Sequence, residues 1–282
     1  MSNRFRLGGD LDVNRMGFGA MRLPSKDGMG GPARDPEAGR AVLHRAVELG
    51  VDHIDTADFY VSHGGTVRAN TLIREALHPY PSHLVIAAKV GPIVNQDGFT
   101  QGSPGDMRGL VEANLEGLGL DRLDLVYLRI GRMTLPHGES IATRFEALAA
   151  LREEGLIRHL GLSNVDAGHL AEAQAIAPVA AVQNHFHAGR RDDTDLLGAC
   201  EEAGIAFVPF FPLGGGRDLD DERLVKVAAR HRTTVSRIGL AWLLASSPVT
   251  LAIPGTGSLS HLEENTAAAA ITLTEEDLAD LA

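Results

Sequence analysis

Three residues of this 282-residue chain can combine into a proton-transfer group: Asp55, Tyr60 and Lys89. Lys89 lies in Leu84-Val85-Ile86-Ala87-Ala88-Lys89-Val90, an apolar run of strand length, and the only other lysines are Lys26 and Lys226. A buried ammonium without a partner is driven toward its neutral form, so this residue needs a carboxylate or a chemical task. The stretch His53-Ile54-Asp55-Thr56-Ala57-Asp58-Phe59-Tyr60 offers both, because Asp55 ends a second apolar run and Tyr60 follows on the loop after it. Brought together, the ammonium lowers the phenol's pKa and the carboxylate fixes the ammonium, which makes the phenol a general acid. The same residues would also serve as a structural ion pair beside a surface tyrosine.

Other apolar runs end in polar groups too. Gly161-Leu162-Ser163-Asn164-Val165 and Val182-Gln183-Asn184-His185 would present a hydroxyl and two amides to one planar partner that both donates and accepts, such as a carboxamide. Ser and Asn also cap ordinary turns. Val208-Pro209-Phe210-Phe211-Pro212-Leu213-Gly214-Gly215-Gly216 sets an aromatic face beside backbone that can approach a diphosphate closely. After Ile253-Pro254-Gly255-Thr256-Gly257-Ser258 a helix opens at Leu259, and a helix N-terminus with hydroxyls accepts anions. His185 and His187 share a strand face, but no further ligand at metal spacing accompanies them. No metal is expected, and the pair reads as pocket-lining or core histidines.

Eight near-continuously apolar runs must position these groups: Met16–Leu23, Val51–Ala57, Leu84–Val90, Leu123–Ile130, His159–Val165, Val179–His185, Ala206–Leu213 and Val249–Pro254. Such runs suit parallel strands covered on both faces. Helical spacing fills the gaps. Ala38, Ala41, Val42, Ala46 and Leu49 precede the stop at Gly50; Ser103-Pro104 opens a helix that ends at Gly119; Thr274 with Asp277 opens a short last helix. Eight strand-helix units predict a (β/α)8 TIM barrel, one domain over 1–282, with its active site after the strands. A doubly wound nucleotide-binding sheet lacks its signature, since Gly17-Phe18-Gly19 begins a G-x-G-x-x-G run that is not completed. Phe5 to Val13 reads as an N-terminal β-hairpin able to plug the barrel's bottom. The loops Gly28–Pro32, Val61–Thr66 and Ile93–Gly102 are expected to line a substrate mouth.

A net charge of -11 without a run of like charges argues against nucleic acid and anionic membranes as partners. Met1 to Arg6 lacks an apolar signal core, and no apolar stretch approaches the roughly 20 residues that span a bilayer. A cytoplasmic monomer is the expectation. Cys200 is the only cysteine, which excludes an internal disulfide and a thiolate zinc cluster; its apolar helical setting makes it a small hydrophobe.

The chain resembles the aldo-keto reductases from the first strand to the last helix. The resemblance rests on Asp55-Thr56-Ala57 with Tyr60, the strand-ending Lys89, Gly161-Leu162-Ser163-Asn164, Gln183-Asn184, Pro212-Leu213-Gly214 and Ile253-Pro254-Gly255-Thr256 with Glu263-Glu264-Asn265, all in family order. It implies an NADP(H)-dependent reductase of a small-molecule aldehyde or ketone, in which Tyr60 is the general acid, Lys89 lowers its pKa and Asp55 anchors the lysine. Ser163, Asn164 and Gln183 would hold the nicotinamide carboxamide, with Phe210, or Phe211 beside it, stacked on the ring. Leu213 and Gly214 would flank the diphosphate, and Gly19, Ala20 and Met21 would lie near the nicotinamide ribose and the reacting centre. Thr256, Ser258 and His261 would approach the adenosine 2′-phosphate, with Glu264 and Asn265 on the adenine. Many members carry a lysine where this chain has Gly255 and an arginine where it has His261, which weakens the discrimination against NAD(H). Most also end the fourth strand with histidine, whereas Leu125-Val126-Tyr127-Leu128-Arg129-Ile130 supplies Arg129. A guanidinium donates in a fixed fork but cannot titrate near neutrality. A narrower resemblance, through Asp58-Phe59-Tyr60, Ile73 to Tyr80, Leu128-Arg129 and Pro209 to Gly215, points to the bacterial pyridoxal reductase branch, which also carries that arginine. Reduction of pyridoxal to pyridoxine is therefore expected. A sugar or aliphatic-carbonyl oxidoreductase, and a nucleotide-sensing regulatory barrel of negligible turnover, remain as alternatives on the same scaffold.

Overall fold

The computed structural model describes residues 3–26, 28–95, 98–131 and 138–282. It opens with a hairpin of β1 (Arg4–Leu7) and β2 (Leu11–Asn14), paired antiparallel with Leu7 opposite Leu11. The chain then lays down seven parallel strands in sequential order in one sheet: β3 (Phe18–Gly19), β4 (His53–Asp55), β5 (Val85–Val90), β8 (Leu123–Arg129), β9 (Ile157–Ser163), β10 (Val179–Gln183) and β11 (Ala206–Phe207). A second antiparallel hairpin, β6 (Pro92–Asn95) and β7 (Gly98–Gln101), projects after β5.

The sheet closes through 249–254, as a barrel requires. This eighth run makes isolated parallel bridges in place of a regular ladder, Phe207 to Thr250 on one side and Met16 to Ala252 on the other. Leu251 N–H donates to Phe207 O and Gly17 N–H to Ala252 O, each at 2.8 Å. Regular pairing is shorter here than the apolar runs suggest, for two physical reasons. Pro209 and Pro212 lack the N–H that a ladder needs, so β11 stops at Phe207 and pairing resumes only at Phe210 with His185. At the closure Gly19 and the eighth run nearly touch: a β-carbon on Gly19 would stand 2.7 Å from Ile253 O. The chain therefore leaves β3 in a tight turn over Ala20–Arg22.

Ten helices among the described residues alternate with the strands: α1 (Pro36–Glu48), α2 (Ala69–Leu77), α3 (Met107–Leu118), α4 (Ala142–Glu153), α5 (Ala167–Gln174), α6 (Thr194–Ala203), α7 (Glu222–His231), α8 (Val235–Ser246), α9 (Leu259–Ala267) and α10 (Glu275–Asp280). Asp35 caps α1, accepting from Glu37 N–H at 3.0 Å, with Pro36 in the first turn. Gly119 ends α3 in a left-handed conformation, and the Thr274–Asp277 capping box opens α10, both as the sequence predicts. Cys200 is buried on α6, and burial pushes its thiol up to about 12. No helix among the described residues is long and apolar enough to cross a membrane.

Strand alternation divides the core. Outward residues such as Ile54, Ile86, Val126, Leu162 and Val182 pack under Leu43, Leu72, Val111 and Phe145 of the helices. Inward residues Val85, Ala87, Leu125, Tyr127, Ala181, Val208, Leu251 and Ile253 form a second cluster inside the barrel. Leu7 and Val13 of the hairpin belong to that inner cluster, so the hairpin plugs the bottom. Asp10 in its turn accepts from Arg158 Nη2 at 2.7 Å and is 2.7 Å from His159 Nε2, which latches the plug to the start of β9. The period of two then carries inward residues up to the mouth: Lys89 lies two past Ala87, Arg129 two past Tyr127, Ser163 two past Gly161 and Gln183 two past Ala181.

Candidate active site

Asp55 and Lys89, on neighbouring strands, form an ion pair with side chains only 5% and 2% exposed. The second carboxylate oxygen, Oδ2, accepts from Gln183 Nε2 at 2.8 Å. Asp55 is thereby held by donors from two other strands, and the ammonium it fixes lies 5.1 Å from the centroid of the Tyr60 ring. Tyr60 is buried, and its neighbour Phe59 meets it edge-on with centroids 5.2 Å apart. Burial raises the Tyr60 pKa above its ordinary value, while the charges of Lys89 and Arg129 pull it down and that of Asp55 pushes it up. The expected lowering by Lys89 is present, but burial outweighs it. The phenol is consequently held in its proton-carrying form.

Arg129 ends β8 directly opposite Ser163 at the end of β9. Its Nη1 donates to Ser163 Oγ at 3.0 Å, and its guanidinium carbon stands 4.8 Å from the centre of the Phe210 ring. Burial lowers the Arg129 pKa; Tyr60 and Asp55 oppose that shift. His185 stacks on Phe210, with centroids 5.2 Å and planes 22° apart. Phe210 and Phe211 meet edge-on, and Phe211 adopts a φ of 52°, a left-handed backbone that a bulky residue rarely takes.

These groups open into a cavity of about 880 Å³. Of the expected site residues, Gly19, Met21, Asp55, Tyr60, Lys89, Arg129, Gln183, Phe210, Phe211, Leu213, Gly255, Thr256, Ser258, His261, Glu264 and Asn265 all line it. Four do not form its wall. Ala20 packs into the helix-sheet core, and Gly214 opens a tight helical turn whose next residues, Gly215 and Gly216, reach the cavity in its place. Ser163 is fully buried behind Arg129, and Asn164, with a φ of 63°, donates through Nδ2 to Ile130 O at 2.8 Å. Of the loops expected at the mouth, Gly28 and Met29 reach the wall, whereas Val61–Thr66 and the described part of Ile93–Gly102 do not. His185 and His187 lie outside it with ring centroids 5.1 Å apart and planes tilted by 42°, and the described residues contain no cluster of three metal-ligating side chains.

Arg34 also reaches the cavity, from a position that no motif marks. This residue precedes α1 yet lies across Gly257 on the far side of the barrel closure, donating from Nε to Arg22 O at 3.0 Å. A β-carbon on Gly257 would collide with its guanidinium, so the arginine's position depends on a glycine at 257. Although the chain is acidic, the cavity wall among the described side chains carries Arg22, Arg34, Lys89 and Arg129 against Asp55 and Glu264. That excess of cations suits an anionic ligand. Gln183 Oε1 is buried and makes no hydrogen bond among the described residues, and the Tyr127 hydroxyl lies close to the same amide.

The model of the Aldo/keto reductase family matches residues 15–282. The chain belongs to the aldo/keto reductase family. It is 44% identical over 285 residues to pyridoxine 4-dehydrogenase of Escherichia coli, covering 99% of this chain and 97% of that protein. It is also 41% identical over 277 residues to an uncharacterized oxidoreductase of Schizosaccharomyces pombe, covering 97% and 87%. Among solved structures, this aldo/keto reductase superposes on the thermostable aldo-keto reductase Tm1743 in complex with epalrestat with a TM-score of 0.80 at 30% identity, covering 99% and 98%. It also superposes on an aldo/keto reductase from Klebsiella pneumoniae bound to NADP and acetate, with a TM-score of 0.81 at 27% identity, covering 100% and 94%. The curled parallel sheet with its outer helices is thus the α/β barrel of this family.

Proposed function

We propose that this aldo/keto reductase reduces pyridoxal to pyridoxine with NADPH. The observation that carries the reading is Tyr60 buried against an ammonium fixed by Asp55, inside a cavity whose described side chains include more cations than acids. The cavity fits the coenzyme by its size, its cations and the buried Gln183 Oε1, which can accept from a carboxamide N–H. The likeness to the pyridoxine 4-dehydrogenase supports the substrate, and the NADP-bound relative supports the coenzyme. Bound there, the reduced nicotinamide supplies a hydride to the carbonyl carbon.

The chain's own residues do the rest. Tyr60 donates its proton to the carbonyl oxygen as negative charge develops there, and Lys89 stabilises the phenolate that remains. Asp55, held in turn by Gln183, keeps the ammonium in place. Arg129 offers a fork to the ionisable oxygen that pyridoxal carries beside its aldehyde. Arg34 gives the phosphate end of the coenzyme a cation from outside the positions where a lysine and an arginine are replaced by Gly255 and His261.

The test follows NADPH oxidation with pyridoxal and quantifies pyridoxine. One pyridoxine per NADPH is the expected result. Oxidation with simple aldehydes but not with pyridoxal would leave the reductase and remove its substrate. Coenzyme binding without turnover on any carbonyl would identify a sensing barrel instead.

A further inference from the structure

Arg129 touches both groups that the coenzyme reading assigns to the nicotinamide, Ser163 and Phe210. The Ser163 hydroxyl, suited to a carboxamide, accepts from Arg129 Nη1 at 3.0 Å. The Phe210 ring, suited to stacking, has the same guanidinium 4.8 Å from its centre. His185 already packs against that ring, so a planar ligand entering there must settle beside or in place of the guanidinium. The charge it meets is permanent, since arginine keeps its proton at every physiological pH.

The two redox forms of a nicotinamide differ in the property that matters at this point. The oxidised ring carries a positive charge, and the reduced ring is neutral. We propose that Arg129 makes the coenzyme site selective for the reduced, uncharged nicotinamide over the oxidised, cationic one. The inference rests on the coenzyme reading above and adds a role for the residue that reading leaves at the edge of the substrate. Displacing Arg129 from Ser163 burdens both redox forms alike; the repulsion between guanidinium and ring falls on the oxidised form alone. Two full charges roughly 5 Å apart in an effective dielectric of about 20 repel by an amount equivalent to about 10²-fold in affinity. The ring charge is delocalised and the guanidinium can withdraw, so an effect on the order of 10-fold is the expectation. A site with this bias admits reduced coenzyme in the presence of oxidised coenzyme and releases the oxidised product readily. It favours carbonyl reduction over alcohol oxidation.

The test measures dissociation constants for NADPH and NADP⁺ by fluorescence titration in the unaltered protein, Arg129→Gln and Arg129→Lys, with a thermal melt of each. Glutamine removes the charge and keeps a planar polar group; lysine keeps the charge and loses the fork. Arg129→Gln should cut the preference for NADPH by about 10-fold, chiefly by tightening NADP⁺, whereas Arg129→Lys should retain most of it. Equal changes in both constants for Arg129→Gln would reduce the residue to an occupant of the slot and overturn the proposal, as would loss of the preference in Arg129→Lys. The ratio is taken within one coenzyme pair. A protein that binds NADH in place of NADPH would contradict the coenzyme reading, and the NADH to NAD⁺ ratio would still decide the role of Arg129.

Discussion

Arg129 and Ser163 face each other across β8 and β9 and are joined by a hydrogen bond of 3.0 Å, which ties a permanent cation to the barrel mouth beside Tyr60. A histidine in this position could share a proton with the phenol, whereas a guanidinium can only donate and attract. Its contribution should therefore depend on whether the substrate carries an anionic oxygen near the carbonyl. Pyridoxal does. Arg129→Met should lose much more kcat/KM toward pyridoxal than toward benzaldehydes lacking an ortho hydroxyl, because charge-assisted hydrogen bonds are roughly twice as strong as neutral ones. Both substrates are measured with saturating NADPH at pH 7. Equal losses would assign the residue to the carbonyl or to folding.

The proposed mechanism makes Tyr60 the proton donor, so Tyr60→Phe should lower turnover by roughly 10²-fold or more while coenzyme still binds. The pH dependence follows from the direction of its shift. The phenol must be protonated to act, and burial raises its pKa, so reduction should hold level through neutral pH and fall only as pH climbs through that raised value. A kcat/KM profile for pyridoxal, corrected for the ionisation of the substrate, checks this. Near-normal turnover of Tyr60→Phe would move the acid elsewhere.

Asp55, Lys89 and Gln183 are legible in the sequence because a parallel strand has a period of two, and a charged or amide-bearing residue at the end of an apolar run can only point into the mouth or into the core. The hairpin plug is legible for the same reason, as a short alternating segment ahead of the first strand. Arg129 is legible as a departure from the pattern of its family, but its contact with Ser163 depends on the register between β8 and β9, which no local pattern encodes. Arg34 shows the same limit more sharply. Its partner Gly257 is far away in sequence, and both sit in loops, where neither period nor capping constrains position. The apolar runs at 206–213 and 249–254 extend beyond the regular ladder, because prolines and close backbone approach break pairing without interrupting the run.

The Asp55–Lys89 pair is nearly inaccessible, so removing one partner strands a charge that water cannot reach. Asp55→Asn should destabilise the fold by about 3 kcal/mol, at the lower end of the cost of breaking a buried pair. Combining it with Lys89→Met removes both charges and should recover much of that loss, although neither variant should turn over. Urea unfolding of the two single variants and the double variant measures the coupling. Additive losses would show that the pair does not hold the mouth together.

Arg34 gives the sharpest test of how the coenzyme's phosphates are held. It lines the cavity, its only hydrogen bond among the described residues goes to a backbone carbonyl, and no described carboxylate pairs with it. Its charge is therefore available to an anion. Arg34→Ala should weaken NADPH binding, and the size of the loss should fall as salt rises, because a half-exposed charge is screened over roughly 10 Å at 0.1 M. The comparison with NADH locates the contact. A larger loss for NADPH than for NADH would put the guanidinium on the 2′-phosphate, and equal losses would put it on the diphosphate the two coenzymes share. Gly257→Ala should act in the same direction, since its methyl group collides with the guanidinium and forces Arg34 to shift from its present position. Unchanged affinity for both coenzymes in Arg34→Ala would mean that the remaining cations and the start of α9 suffice, and that Arg34 only packs against the loop.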